Sequence, residues 1–410
     1  MDILPILSTL RRHKLTAWLL ILEIALTCAI VCNAVFLIGQ RLERMDMPSG
    51  VAEHELLQIQ VADMVAPANP YARVAEDMAV LRQVPGVISV ASSNQVPFGS
   101  SSSNSNIRLD PAQVRWTLSA TTYFGENLPK TLGTRLVSGR DLESSDFVDV
   151  DVAMKALGTG DAKHLPSVIL ITQTLAERLW PGQNPLGHII YLAPTVGLRV
   201  VGVLDSLVRP NAYDISKAQY TTIVPLRMGA NKDQSYLIRC RPEDRAHVLD
   251  AALAALKKVD PQRVVTTRRS FDEVRRKFFQ DDRAMAGMLV GVIAALLIVT
   301  ALGIVGLASF WVAQRRRTIG VRRALGATRR NILNYFQTEN FLLATIGIAL
   351  GMALAYAINL FLMLHYELPR LPAIYFPVGA IALWLIGQLA VLGPALRAAA
   401  VPPVVATRSV

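Results

Sequence analysis

The chain has 410 residues, of which 52% are hydrophobic and 18% are charged. This composition is too apolar for an ordinary soluble protein, and four stretches approach or exceed the roughly 18 to 20 apolar residues that cross a bilayer. The formal net charge is +11, but the arginines crowd the ends of these stretches and form no basic stripe with interleaved aromatic residues. The sequence therefore predicts an integral membrane protein with a soluble part and argues against nucleic-acid binding.

The first apolar stretch covers about residues 15–39 and follows Arg11, Arg12 and Lys14. It is longer than the apolar region of a cleaved signal peptide. We therefore predict that residues 1–40 comprise a cytoplasmic amino terminus and a retained first transmembrane helix.

Three further spans are predicted, at residues 285–312, 341–364 and 375–396. Three consecutive arginines begin at Arg315, after the second span, and Arg397 follows the fourth. Because arginines mark the cytoplasmic side, both termini and a loop at residues 313–340 are predicted in the cytoplasm. Residues 41–283 would then lie outside the cytoplasm, and residues 284–410 would hold the last three spans.

The three cysteines are predicted to be free thiols. Cys28 and Cys32 lie one helical turn apart in the first span, and Cys240 is alone in the soluble segment. This spacing favours neither a disulfide nor a metal site.

Pairs of glycines spaced four residues apart allow transmembrane helices to approach closely. Two pairs occur, Gly287 with Gly291 and Gly347 with Gly351. The sequence leaves open whether each pair packs within one bundle or against a second copy.

The soluble segment contains one β-α-β pattern twice. The predicted elements are strands 55–61 and 87–91 with helix 71–83, then strands 235–240 and 263–267 with helix 245–257. Two such units can pair into one α+β sandwich, with halves at residues 41–96 and 229–269. Residues 97–228 are predicted to form an inserted β-rich subdomain that includes a Ser/Asn-rich loop at 100–106. One irregular α+β domain is the alternative.

Residues 270–283 are predicted to form a helical stalk, because neither Pro nor Gly separates them from the second span. A single helix over residues 271–312 would be about 60 Å long, and half of it would project beyond the bilayer. The predicted fold is therefore four transmembrane helices plus an extracytoplasmic α+β domain on helical stalks.

The loop after the second span reads QRRRTIGVRRALGATRRNI, from Gln314 to Ile332. Binding to anionic lipid accounts for its basic residues but not for the order IGVRRALGA. The segment resembles the cytoplasmic loop of the MacB/FtsX-type permeases of ABC transporters, which contains the coupling helix that docks on the ATPase. The resemblance implies an ATPase-coupling role for Arg317, Ile319, Gly320, Arg322, Arg323, Leu325, Gly326 and Arg329.

The resemblance extends over most of the chain. Residues 132–141 and 175–187 resemble the family's periplasmic core domain, and residues 394–404 resemble its ending. The resemblance implies a bacterial inner membrane and an ABC ATPase subunit that uses ATP and Mg²⁺, with no cofactor bound by this chain. Other implied partners are membrane lipid, a second permease copy or a related permease, a periplasmic adaptor and an outer-membrane channel.

The sequence contains no Gly-x-x-x-x-Gly-Lys-Ser/Thr phosphate loop, and no catalytic or metal-binding constellation stands out. We therefore expect that the chain is not an enzyme by itself and that a separate subunit hydrolyses ATP. Glu23 is the acidic residue predicted inside a span. A role in coupling and a packing contact with Asn359, Gln388 or a partner subunit are both open.

The mechanism implied by the family is mechanotransmission, in which the ATPase pushes residues 317–330 and the second span moves the outer domain. The leading function is efflux of a drug, peptide or lipid-like molecule in a tripartite system. Lipoprotein extraction is one alternative. Signalling without transport to a periplasmic partner, such as a cell-wall hydrolase, is another.

Overall fold

The computed structural model describes residues 14–193, 196–230, 234–366 and 370–400. The chain forms two compact units, a soluble domain of Asp46–Gln280 and a membrane domain built from the residues before and after it. The sequence-based boundaries at 41 and 283 fall inside helices, because both helices run past the ends of their apolar stretches. Arg11, Arg12 and residues 401–404, used above, lie outside the described residues.

The elements are numbered here in chain order. The helices are α1 (Lys14–Met45), α2 (Pro70–Arg82), α3 (Leu128–Leu132), α4 (Val150–Thr159), α5 (Gln173–Leu179), α6 (Arg245–Val259), α7 (Phe271–Phe278), α8 (Gln280–Gln314), α9 (Arg316–Ala324), α10 (Arg329–Tyr366) and α11 (Tyr375–Ala399). The strands are β1 (Leu56–Ala62), β2 (Val87–Ser92), β3 (Asn104–Ile107), β4 (Leu118–Phe124), β5 (Leu136–Gly139), β6 (Val148–Asp149), β7 (Val168–Thr172), β8 (Ile189–Ala193), β9 (Val196–Leu204), β10 (Thr221–Val224), β11 (Leu226–Arg227), β12 (Gln234–Cys240) and β13 (Val264–Ser270).

The two β-α-β units of the soluble domain interleave into one four-stranded sheet. The strand order is β13-β1-β12-β2, and every neighbouring pair is antiparallel. The strands of each unit are therefore separated by a strand of the other unit, which is the split β-α-β arrangement. The predicted α+β sandwich is confirmed, and the alternative of one irregular domain is wrong.

The core of this sandwich lies between the sheet and helices α2 and α6. Val74, Met78 and Leu81 form the buried face of α2, as their spacing predicts. Asn69 caps the start of α2 by accepting hydrogen bonds from two backbone N–H groups of the first turn. Pro70 follows at the first helical position, where its missing N–H leaves no hydrogen bond unmade.

The insertion between β2 and β12 is rich in β-strands, as predicted. Its main sheet has the order β3-β4-β10-β7-β9-β5, and β8 also pairs with β9. The predicted loop at residues 100–106 is wrong in part, because its last three residues belong to strand β3. The hydroxyl of Thr121 on β4 donates to Asn104 Oδ1 at 2.9 Å, and the hydroxyl of Thr122 donates to Ser105 Oγ at 2.8 Å. These cross-strand bonds hold a polar strand that has no apolar pattern.

The predicted single helix over residues 271–312 is interrupted at Phe279. Its backbone angles, φ −94° and ψ 14°, separate α7 from α8. The Phe279 side chain is fully buried and packs edge-on against Phe98 and Phe278. This tertiary packing explains a bend in a segment that contains no helix-breaking residue.

A buried ion network joins distant parts of the soluble domain. Arg263 donates from Nε to Asp63 at 2.6 Å and from Nη1 to Asp77 at 2.8 Å. The hydroxyl of Tyr236 donates to the other oxygen of Asp77 at 2.5 Å. Burial raises the pKa of the Asp77 carboxyl above its usual range, and the hydrogen bonds from Arg263 and Tyr236 oppose this rise.

The thiols of Cys28, Cys32 and Cys240 are free and buried, as predicted. Burial raises the pKa of Cys240 to about 11, so almost none of it is thiolate at neutral pH. We expect a maleimide at pH 7.5 to leave Cys240 unlabelled in the folded chain and to label it after denaturation, as read by peptide mass spectrometry. A Val114→Cys variant provides the control, because Val114 is 91% exposed and should be labelled at once. Equal labelling of both positions in the folded chain would contradict this prediction.

Among the described residues, the membrane domain contains four helices long and apolar enough to span a membrane, as predicted: α1, α8, α10 and α11. The two glycine pairs differ in their surroundings. A Cβ atom added at Gly347 or Gly351 would lie within 2.9 Å of α1 atoms, whereas one added at Gly287 or Gly291 would meet no atom within 4 Å. The pair Gly347 with Gly351 therefore packs within the bundle, and α1 and α10 approach closely there.

Candidate functional site

The basic segment after α8 forms the short helix α9, and its ends are set by local sequence. Gly326 has a left-handed backbone with φ +98°. Its N–H donates to Arg323 O at 3.2 Å, and the N–H of Ala327 donates to Arg322 O at 3.0 Å. These two bonds are a Schellman motif, so Gly326 ends α9 because glycine adopts this conformation without strain. Thr328 then caps α10 by accepting from the N–H of Asn331 at 3.2 Å.

One face of α9 packs into the membrane domain. Ile319 and Gly320 are buried, and Ile319 belongs to the hydrophobic core of the bundle. Arg323 is partly buried, and its guanidinium donates to Ala399 O at 3.2 Å. These three residues, predicted as ATPase contacts, therefore position α9 within this chain.

The opposite face of α9 is exposed and has an apolar centre. Val321 is 47% exposed and Leu325 is 83% exposed, and their spacing of four residues places them side by side. Arg317 and Arg322 lie on either side of this apolar pair and are also exposed. The Arg322 guanidinium lies over the ring of Tyr335 at 5.2 Å, which restrains its side chain. We call Arg317, Val321, Arg322 and Leu325 the α9 face.

The surroundings of the α9 face are strongly basic. Six arginines occur within residues 316–330, and no acidic residue does. Arg329 is exposed in the first turn of α10, where the positive end of the helix dipole disfavours a cation. This surface is therefore suited to an acidic partner.

Three contributors to this region were missed by the sequence analysis: Val321, Arg315 and Glu339. The spacing of Val321 and Leu325 was a usable signal for the apolar pair. Arg315 precedes α9 and forms an ion pair with Glu339 on α10, whose side chain is 1% exposed. The two residues are 24 positions apart in the sequence, so no local pattern reveals the pair.

A second ion-pair cluster joins the ends of α1 and α8 on the side of the soluble domain. Asp282, near the start of α8, has a side chain that is 3% exposed and forms ion pairs with Arg41 and Arg44 of α1. The Arg44 Nη2 to Asp282 Oδ2 distance is 3.2 Å. Removing Asp282 would leave two cations without this carboxylate, so the cluster ties α1 to α8.

Glu23 on α1 packs against α8. Both of its carboxylate oxygens lie within 2.7 Å of the point where a Cβ on Gly303 would be. A packing contact of Glu23 with Asn359, Gln388 or a partner subunit stays a prediction, and both amides have other hydrogen-bond partners. Asn359 Oδ1 accepts from Leu371 N–H at 2.9 Å, and Gln388 Nε2 donates to Gln337 O at 3.4 Å.

Two protein-family profiles match the chain and cover most of it. The profile described as a MacB-like periplasmic core domain matches residues 19–258, and the profile described as an FtsX-like permease C-terminal region matches residues 290–403. The chain belongs to the MacB/FtsX-type ABC transporter permeases. The resemblance stated from the α9 sequence is confirmed, and the soluble domain is a periplasmic domain of the MacB type.

Relatives with described functions include exporters. The macrolide export ATP-binding/permease protein MacB of Neisseria gonorrhoeae is 26% identical over 271 residues, which cover 62% of this chain and 41% of that protein. The pyoverdine export ATP-binding/permease protein PvdT of Pseudomonas putida is 29% identical over 298 residues, covering 70% of this chain and 43% of that protein. The chain thus spans less than half the length of these relatives.

A search of solved structures matches the periplasmic region of MacB from Actinobacillus actinomycetemcomitans. The TM-score is 0.34 at 13% identity, over 57% of this chain and 97% of that one. The extracellular domain of the transporter YknZ from Gram-positive bacteria has a TM-score of 0.29 at 15% identity, over 51% of this chain and all of that one.

Proposed function

We propose that this chain is the permease subunit of an ATP-driven exporter and that a separate ABC ATPase subunit docks on the α9 face. The observation that carries this proposal is an apolar pair, Val321 and Leu325, exposed on a helix whose other face is fixed in the bundle. An exposed apolar centre with arginines at its edge has the composition of a protein–protein interface. ATP and Mg²⁺ would be bound by the ATPase subunit.

We place α9 in the cytoplasm. The periplasmic domain lies in the sequence between α1 and α8, so a chain that crosses the membrane through α8 has α9 on the opposite side. Two further crossings, through α10 and α11, return the carboxyl terminus to that side. The arginines at both ends of α9 agree with this topology.

The mechanism proposed here is transmission of movement along α8. A force on α9 reaches α8 through their junction at Arg315 and passes along the helix to Asp282. The ion pairs of Asp282 with Arg41 and Arg44 make the outer ends of α8 and α1 move together. Asp282 is buried, whereas no residue of α8 between positions 283 and 299 is.

We propose export, because the named functions of the relatives above are macrolide export and pyoverdine export. The substrate would enter from the periplasm and move outward when the periplasmic domain changes shape. A second permease copy, a periplasmic adaptor and an outer-membrane channel would complete the system.

The test is binding of the chain to the ABC ATPase subunits of its own genome, each co-expressed with the chain and purified in detergent. The wild-type chain should retain one of them. Leu325→Glu should weaken that binding about 30-fold or more, because an exposed apolar centre that costs about 2 kcal/mol when lost has this effect on Kd.

Gln314→Glu is the matched control. It adds the same negative charge at an exposed position at the end of α8, outside the α9 face, and should bind normally. If the wild-type chain bound no ATPase, or if Leu325→Glu bound as tightly as Gln314→Glu, docking on the α9 face would be wrong.

A further inference from the structure

A single residue, Arg315, separates α8 from α9. Its N–H donates to Trp311 O at 3.0 Å, and its carbonyl accepts from the N–H of Ile319 at 2.9 Å. Helical hydrogen bonds therefore continue on both sides of Arg315, although its own φ of −100° and ψ of 7° lie outside the α-helical region. The junction is a bend at one residue, so contacts of the Arg315 side chain act directly on the direction of α9.

Glu339 of α10 binds the Arg315 side chain through both carboxylate oxygens. Arg315 Nη1 donates to Oε1 at 3.1 Å and to Oε2 at 2.9 Å. The guanidinium also lies over the Trp311 ring at 5.9 Å. Charge-assisted bonds in a buried site restrict the guanidinium more than a surface ion pair would.

Glu339 borders a small internal cavity whose lining is mostly apolar. Trp311 Nε1 and Asn340 Nδ2 are buried and have no hydrogen-bond partner among the described residues. Both side chains line this cavity together with Glu339 and apolar residues such as Ile304 and Phe336. Buried donors without partners and a buried carboxylate each reduce stability, so this part of the bundle is not an optimised apolar core.

We infer that Glu339 is a further positioning residue for α9, beside Ile319, Gly320 and Arg323: by binding Arg315 it holds the bend between α8 and α9 and connects this bend to α10. A displacement of α9 then acts on two transmembrane helices, on α8 through the backbone and on α10 through the ion pair. The use of this arrangement in transport rests on the proposed function. The position of α9 relative to α10 does not depend on it.

The positioning is tested on the full-length chain alone, in detergent, so the result does not depend on ATPase binding. Spin labels are placed at Ala324→Cys on α9 and Val378→Cys on α11, both at exposed positions of the membrane domain, with the three native cysteines replaced by alanine. The distance distribution is measured by pulsed electron paramagnetic resonance. The chain with Glu339 intact should give one narrow distribution of distances between the labels. The Glu339→Gln variant should give a broader or shifted distribution.

Arg316→Gln is the matched control, because this neighbouring arginine is exposed and should leave the narrow distribution unchanged. Arg315→Lys keeps the charge but cannot form the same guanidinium contacts, and should give an intermediate width. This second variant decides the question if Glu339→Gln does not fold. A Glu339→Gln distribution identical to that of the parent, or for an unfolded Glu339→Gln an unchanged Arg315→Lys distribution, would overturn the inference. A lower melting temperature with an unchanged distribution would also overturn it and indicate a merely structural role.

Discussion

Replacing Arg263 with leucine should lower the unfolding free energy of the periplasmic domain by about 3–5 kcal/mol, the usual effect of removing one partner from a buried ion pair. The Arg263 side chain is 1% exposed, and those of Asp63 and Asp77 are 6% and 1% exposed. The substitution leaves both carboxylates buried without their cation. Urea unfolding of the chain in detergent, followed by limited proteolysis of the periplasmic domain, measures the change.

The loss of unfolding free energy caused by Arg263→Leu should depend on pH. The pKa of Asp77 is already raised by burial in the folded domain, so its contribution to stability is lost as the pH rises through that folded pKa. Removing Arg263 takes away a group that opposes this rise, so the folded pKa of Asp77 increases further. The deficit should therefore be largest at neutral pH and shrink as the pH falls toward about 4, where the unfolded carboxyl is also protonated.

Arg268→Leu is the matched control on the same strand, β13. Arg268 and its partner Asp250 are 63% and 77% exposed, with a nitrogen–oxygen distance of 3.7 Å. Its loss should cost less than about 1 kcal/mol, because solvent screens such a pair. Similar losses for both variants at pH 7 would contradict the account of a buried network.

Gly351→Val should disrupt the packing of α1 against α10. A Cβ at this position would lie 2.5 Å from the Cβ of Cys28 and 2.6 Å from the carbonyl oxygen of Ala25. A backbone atom cannot move aside as the end of a flexible side chain can. We therefore expect Gly351→Val to lower the stability of the membrane domain by about 3 kcal/mol, at the high end of the range for overpacking. The melting temperature and dispersity of the purified chain measure this loss.

Gly291→Val provides the comparison for Gly351→Val. Gly291 belongs to a pair with the same spacing, but a Cβ there meets no atom within 4 Å. The purified single chain should therefore tolerate this substitution within about 0.5 kcal/mol. An equal loss of stability in both variants would contradict the assignment of the Gly347–Gly351 pair to the α1–α10 contact.

The fold was predictable where the signal is local. Runs of apolar residues long enough to cross a bilayer predicted all four spans, and helical spacing predicted the buried face of α2. The interleaving of β1 with β12 was not predictable, because it depends on pairing between strands separated by most of the domain. The bend at Phe279 was missed for a related reason, since it arises from packing on Phe98 rather than from a helix-breaking residue.

The candidate site was predictable as a segment but not residue by residue. The order of residues in α9 predicted a family, and the family profiles confirmed it. Sequence alone could not separate Ile319, which faces the bundle, from Leu325, which is exposed, because this depends on where α10 and α11 lie. For the same reason Glu339 was missed, since its partner Arg315 lies 24 residues away, at the junction of α8 and α9.

The measurement that tests transmission most directly is hydrogen–deuterium exchange of the chain bound to its ATPase in lipid nanodiscs. Exchange is compared between the ADP state and the state trapped with ATP and vanadate. We predict that ATP changes exchange in residues 41–53 and 271–283, the segments through which the chain passes between the membrane domain and the periplasmic domain, and that Leu325→Glu abolishes this change. Unchanged exchange in both segments, in a complex that binds and hydrolyses ATP, would contradict transmission from α9 to the periplasmic domain.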